Sequence, residues 1–152
     1  AAQALLAMIE KPDAFDEDNA SASDNAVSAL GKLCKRSAGI SEHCLPRWLR
    51  TLPLETDKEE ARVVHKMLID LCMENNTQLL GTGHERLADV IVVFGQVLGT
   101  DLIEADDATR IGAMLQQVRT GLPHVLQGLT SHPGFAKLTL EQRASLERAI
   151  SG

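Results

Sequence analysis

Between Asp24 and Cys72 the apolar residues recur in steps of three and four. They fall at Val27, Leu30, Leu33 and Cys34, then Leu45, Leu49 and Leu52, then Val64, Met67, Leu68, Leu71 and Cys72. At this spacing each set lies on one face of an α-helix. The middle set sits in Cys44-Leu45-Pro46-Arg47-Trp48-Leu49-Arg50-Thr51-Leu52-Pro53-Leu54, which predicts a short helix with one proline inside and a second closing it. Three such helices with short connections cannot each bury a stripe alone, so they must pack on one another. The stretch reads as one helical repeat unit with the edges of its neighbours.

A chain of 152 residues is one domain, or a few repeats cut from a longer solenoid. Hydrophobic residues make up 44% but aromatics only 3%, with no Tyr, and such an aliphatic core suits packed helices better than a β-sandwich. The formal charge of -6 argues against a nucleic-acid binder, which shows a basic face. It fits a basic protein partner, and equally an ordinary acidic surface. Cys34, Cys44 and Cys72 are odd in number and far apart in sequence, with two on apolar stripes, which predicts reduced, buried thiols of a cytosolic or nuclear protein. No apolar run approaches the ~20 residues of a membrane span, and no signal peptide is visible. The opening Ala1-Ala2-Gln3-Ala4-Leu5-Leu6 lacks a Met and is already helix-like, as expected of a fragment.

Along the chain, Leu5, Leu6 and Ile9 mark a helix over about 1–10, ended by Lys11-Pro12. Residues 11–23 are polar, acidic and aperiodic, the composition of a flexible loop. Ser23 or Asp24 is placed to cap a helix over about 24–37, with Gly39 as its stop. A short helix over about 42–52 comes next, and Thr56-Asp57-Lys58-Glu59 has capping-box spacing for a helix over about 57–74, stopped by Asn75-Asn76. Thr82-Gly83-His84-Glu85 repeats that spacing before a helix reaching about Leu98, with Gly99 as its stop. The β-branched run Val90-Ile91-Val92-Val93 lies inside it and is read as helical. A helix over about 106–120 buries Ile111, Met114, Leu115 and Val118, and its acidic start suits the helix dipole. A short helical piece is expected over 123–130, and Thr139-Leu140-Glu141-Gln142 opens a terminal capping helix over 139–150. First helices near 42 and 83 stand roughly 40 residues apart, within the range of HEAT and armadillo repeats.

No catalytic, cofactor-binding or metal-binding residues are assigned. Gly81-Thr82-Gly83-His84-Glu85-Arg86 begins like a dinucleotide loop, but it lacks the last glycine and any preceding strand, so a turn and helix cap is the better account. His43, Cys44, His65 and Cys72 match no zinc spacing, and nothing supports a Cys–His nucleophile pair. Asn19-Ala20-Ser21 and Asn75-Asn76-Thr77 satisfy the glycosylation pattern, which only a secreted chain uses. Trp48 is either a binding anchor or, more in keeping with a short helix, a packing residue between repeats. The charges of Asp57-Lys58-Glu59-Glu60 are read mainly as a helix start, with a binding role as the alternative. The candidate binding residues assigned are Asp13, Asp16, Glu17 and Asp18 of the acidic loop, bordered by Glu10 and Asp24: either an ordinary solvated loop or a concentrated negative field suited to a lysine-rich partner.

Asp24-Asn25-Ala26-Val27-Ser28-Ala29-Leu30-Gly31-Lys32-Leu33, Leu45-Pro46-Arg47-Trp48-Leu49, Leu52-Pro53-Leu54 and Asp57-Lys58-Glu59-Glu60-Ala61 resemble, in order and separation, the C-terminal HEAT repeats of the importin-beta (karyopherin-beta) family. The branch most similar is karyopherin-beta-three. Leu80-Gly81 and the ending Leu140-Glu141-Gln142-Arg143-Ala144 are similar to that branch as well. The resemblance is dense from Asp24 to about Gly81 and looser beyond, and it departs at the acidic loop and over 121–137.

The resemblance implies an all-α HEAT-repeat solenoid fragment of antiparallel helix pairs, about three to four repeats over residues 1–152, with second helices lining a concave face. It implies a non-catalytic part of a nuclear import receptor that shuttles between cytoplasm and nucleus. The implied partners are basic protein cargo (ribosomal proteins or histones), with nucleoporins and Ran-GTP for the full-length receptor. Ran is not expected on this segment, since the family binds it mainly through N-terminal repeats. No cofactor, nucleic acid or membrane is expected. A HEAT-repeat scaffold or adaptor subunit unrelated to transport is the alternative.

Overall fold

A computed structural model describes residues 1–152. Every regular element is helical and no strand forms, so the chain is all-α. Ten α-helices follow in order: α1 (Ala2–Ile9), α2 (Ala20–Arg36), α3 (Ala38–Leu49), α4 (Lys58–Met73), α5 (Thr77–Leu80), α6 (Leu87–Val97), α7 (Ala105–Gly121), α8 (Pro123–Gly128), α9 (Pro133–Ala136) and α10 (Leu140–Ser151). None is long and apolar enough to cross a membrane.

The apolar stripes decide the packing. One hydrophobic cluster runs from Leu6 in α1 to Leu146 in α10. Helix α2 packs on α1, α3 and α4, then α4 packs on α7 and α7 on α10, while α3 packs on α5. Trp48 is fully buried in α3, and its Nε1 donates to the Val27 carbonyl of α2 at 2.9 Å. It is a packing residue. A Cβ at Gly31 would lie 3.0 Å from Met67 Cε and 3.1 Å from Trp48 Nε1, so side chains of α3 and α4 press against α2 at this glycine. The Val90–Val93 run is buried within α6, its β-branched side chains packed from one helix rather than alternating across a sheet.

Several helix ends differ from the expectation, at Ser23 and Asp24 because a distant partner claims the local capping group. Helix α2 begins at Ala20, four residues before the expected cap, and the 11–23 stretch is not an open loop. Its backbone closes in turns, with Ala14 N donating to Lys11 O, Asp16 N to Asp13 O and Asn19 N to Asp16 O. Ser23 does not cap, because its hydroxyl donates to the Ala14 carbonyl at 2.5 Å and pins the turns to α2. Asp24 does not cap either; it is 1% exposed, and its Oδ2 accepts from Asp57 N at 2.9 Å. Gly39 is no stop, since the chain breaks at extended Ser37 and resumes as α3 at Ala38.

Helix α3 ends at Leu49, short of the expected 52. Its last turn is replaced by Thr51 N and Leu52 N bonding back to the carbonyls of Trp48 and Leu49. The cap of α4 is Asp57 rather than Thr56: the Asp57 side chain accepts from Glu60 N at 3.1 Å while Asp24 holds its N–H. Asn76 caps α5, a short helix that periodicity did not show. The Thr82 capping box does not form. Gly83 and His84 both take positive φ (64° and 58°), which interrupts the turn, and α6 starts only at Leu87. The Thr139 capping box forms in full, with Gln142 N donating to Thr139 Oγ1 and Thr139 N to Gln142 Oε1.

Candidate functional site

Ion pairs join the helices, and the densest group of unpaired charge lies elsewhere. Across α2, α4 and α7 several charged side chains pair with one another. Lys35 Nζ lies 3.3 Å from Asp70 Oδ2, and Arg110 bridges Asp70 at 2.5 Å and Asp107 at 2.9 Å. Lys66 stands 2.9 Å from Asp107 and 3.4 Å from Glu104, and Lys58 2.5 Å from Asp101. Against its partial burial, Arg110 and Lys35 hold the Asp70 carboxyl below the usual carboxylate range. This ladder joins successive helices, while Lys32, Arg36, Glu59, Asp106 and Arg119 of the same helices stand outside it.

The turns between α1 and α2 are different. Asp13, Asp16, Glu17 and Asp18 are all exposed, and none lies within ion-pair distance of a basic group. Only Asp13 has a side-chain partner, Asn19 Nδ2 at 3.4 Å. Hydrogen-bonded turns hold all four on one short surface, with Phe15 half-exposed among them. The two bordering carboxylates do not join this field. Glu10 is paired with the Arg47 guanidinium, which holds its carboxyl below the usual range. Asp24 is turned inward onto Asp57.

The other sites considered from sequence resolve into structural roles. The Gly81–Arg86 segment lines an open cleft of about 900 Å³. No strand precedes it, and Arg86 is used internally, donating to the carbonyls of Leu79 at 2.7 Å and Gln78 at 3.0 Å. Gly81 needs its positive φ of 79°, and a Cβ there would strike Glu85 at 2.6 Å. The four residues weighed as zinc ligands do not converge. His43 contacts Arg47, and Cys44 faces Cys34 across the α2–α3 hairpin. His65 is buried, its Nε2 accepting from Leu54 N at 3.2 Å and its Nδ1 donating to Leu102 O at 2.7 Å. No three His, Cys, Asp or Glu side chains gather as metal ligands would.

His132 was not singled out by any spacing. Its Nδ1 accepts from Gly134 N at 2.9 Å, so Nε2 carries the proton and donates to Asp89 Oδ1 at 2.5 Å. With both ring nitrogens engaged, the pair braces α9 against α6. The partners lie 43 residues apart, so only the fold could reveal them.

All three thiols are free and buried. Burial, with a smaller contribution from Cys44, pushes the Cys34 thiol up to about 11, and burial alone pushes Cys72 up to about 12. A thiol so protonated is a poor nucleophile near neutral pH. A disulfide reagent at neutral pH is therefore expected to label these cysteines slowly in the folded chain and rapidly in urea. Fast labelling of the native protein at Cys34 or Cys72 would contradict the burial described here.

Compared with models of known protein families, the chain matches none. The functional reading therefore rests on the surface itself and on the resemblance carried by the segments between Asp24 and Gly81.

Proposed function

We propose that this chain is a HEAT-type solenoid segment from the C-terminal part of a nuclear import receptor, and that it works by presenting surface to basic proteins. Helices α2, α4 and α7 follow one another face to face, each joined to the next by ion pairs, as successive second helices of a repeat array would be. The observation that carries the partner class is the density of charge in the turns between α1 and α2: Asp13, Asp16, Glu17 and Asp18 are all exposed within one short stretch, and none of them is in an ion pair. Free carboxylates fixed on one short surface attract lysine- and arginine-rich segments. Ribosomal proteins and histones carry such segments, and the receptor moves them between cytoplasm and nucleus. No catalytic step is involved.

Calorimetric titration tests this with a lysine-rich histone-tail peptide and its Lys→Gln counterpart. Saturable binding of the first at low salt, at least tenfold tighter than the second, is expected. Equal binding of the two would contradict a basic partner. Ran-GTP is expected not to bind this segment, and a micromolar complex would overturn the proposed division of labour within the receptor.

A further inference from the structure

We draw no further inference here: the strongest candidate, the apolar cleft of about 500 Å³ between the end of α4 and α7, lined by Cys72, Met73, Leu80, Leu87, Met114 and Val118 among others, is an unpartnered face, and nothing in the structure shows what covers it.

Discussion

Replacing Trp48 with alanine is expected to be the most damaging single change in this chain, costing about 3–5 kcal/mol of folding stability. Trp48 is 0% exposed at the point where α2, α3 and α4 meet, so truncation leaves a cavity that three helices border. Its Nε1 also supplies a hydrogen bond to the Val27 carbonyl. Against a typical stability of ~5–15 kcal/mol, such a loss leaves a marginal fold. Trp48→Phe keeps most of the apolar area and gives up the hydrogen bond, for a smaller cost of about 1–2 kcal/mol. Urea unfolding followed by helical circular dichroism measures both. A Trp48→Ala midpoint close to that of the unaltered chain would mean that the helices do not meet there.

The second large effect is expected at His65, which ties the turn after α3 to the turn before α7 through Leu54 N and Leu102 O. His65→Leu preserves volume but strands a buried amide and a carbonyl, at about 2–4 kcal/mol for the two together. The same residue gives stability a pH dependence. Burial, opposed by the Leu102 carbonyl, holds its imidazole below the ordinary value, so the folded state disfavours the proton. Below the unfolded value of ~6.5 the unfolded chain binds the proton more readily. Stability is therefore fully present above that value and falls as pH drops towards the depressed folded value, by at most ~1.4 kcal/mol per pH unit. Asp24 acts in the opposite sense at lower pH. Its raised carboxyl makes the folded state the better proton acceptor, so its contribution falls as pH rises from its ordinary value through the raised one. Unfolding measured between pH ~7 and ~5 should show the His65 slope, and His65→Leu should lose it. A slope unchanged in the variant would place the titration elsewhere.

The helices and their buried faces were legible in the sequence because burial in a stacked helix imposes a period that single residues cannot hide. Val27, Leu30, Val64, Leu68, Ile111 and Leu115 are each fully buried. Helix starts were not legible to the same degree. Ser23, Asp24 and Thr56 have the chemistry of caps, but Ser23 is spent on Ala14 and Asp24 on Asp57, a pairing 33 residues apart that no local spacing shows. Thr82 fails because Gly83 and His84 leave helical φ, whereas Thr139, with no competing partner, caps as its spacing predicts. The candidate surface divides in the same way. Exposure of Asp13, Asp16, Glu17 and Asp18 follows from their polarity, while the turns that hold them are pinned to α2 by the bond from Ser23 to Ala14, which no local spacing shows.

The central claim is that these four exposed carboxylates attract a basic partner. Its most direct test is the combined variant Asp13→Asn, Asp16→Asn, Glu17→Gln and Asp18→Asn, titrated with a lysine-rich ribosomal-protein peptide at two salt concentrations. Each exposed pair contributes only ~0.2–1 kcal/mol, so the four together should weaken binding roughly tenfold without abolishing it. The Debye length falls from ~10 Å at 0.1 M salt to ~3 Å at 1 M, so the difference between variant and unaltered chain should shrink at the higher concentration. Equal affinities at low salt, or a loss of the same size at both concentrations, would contradict the account.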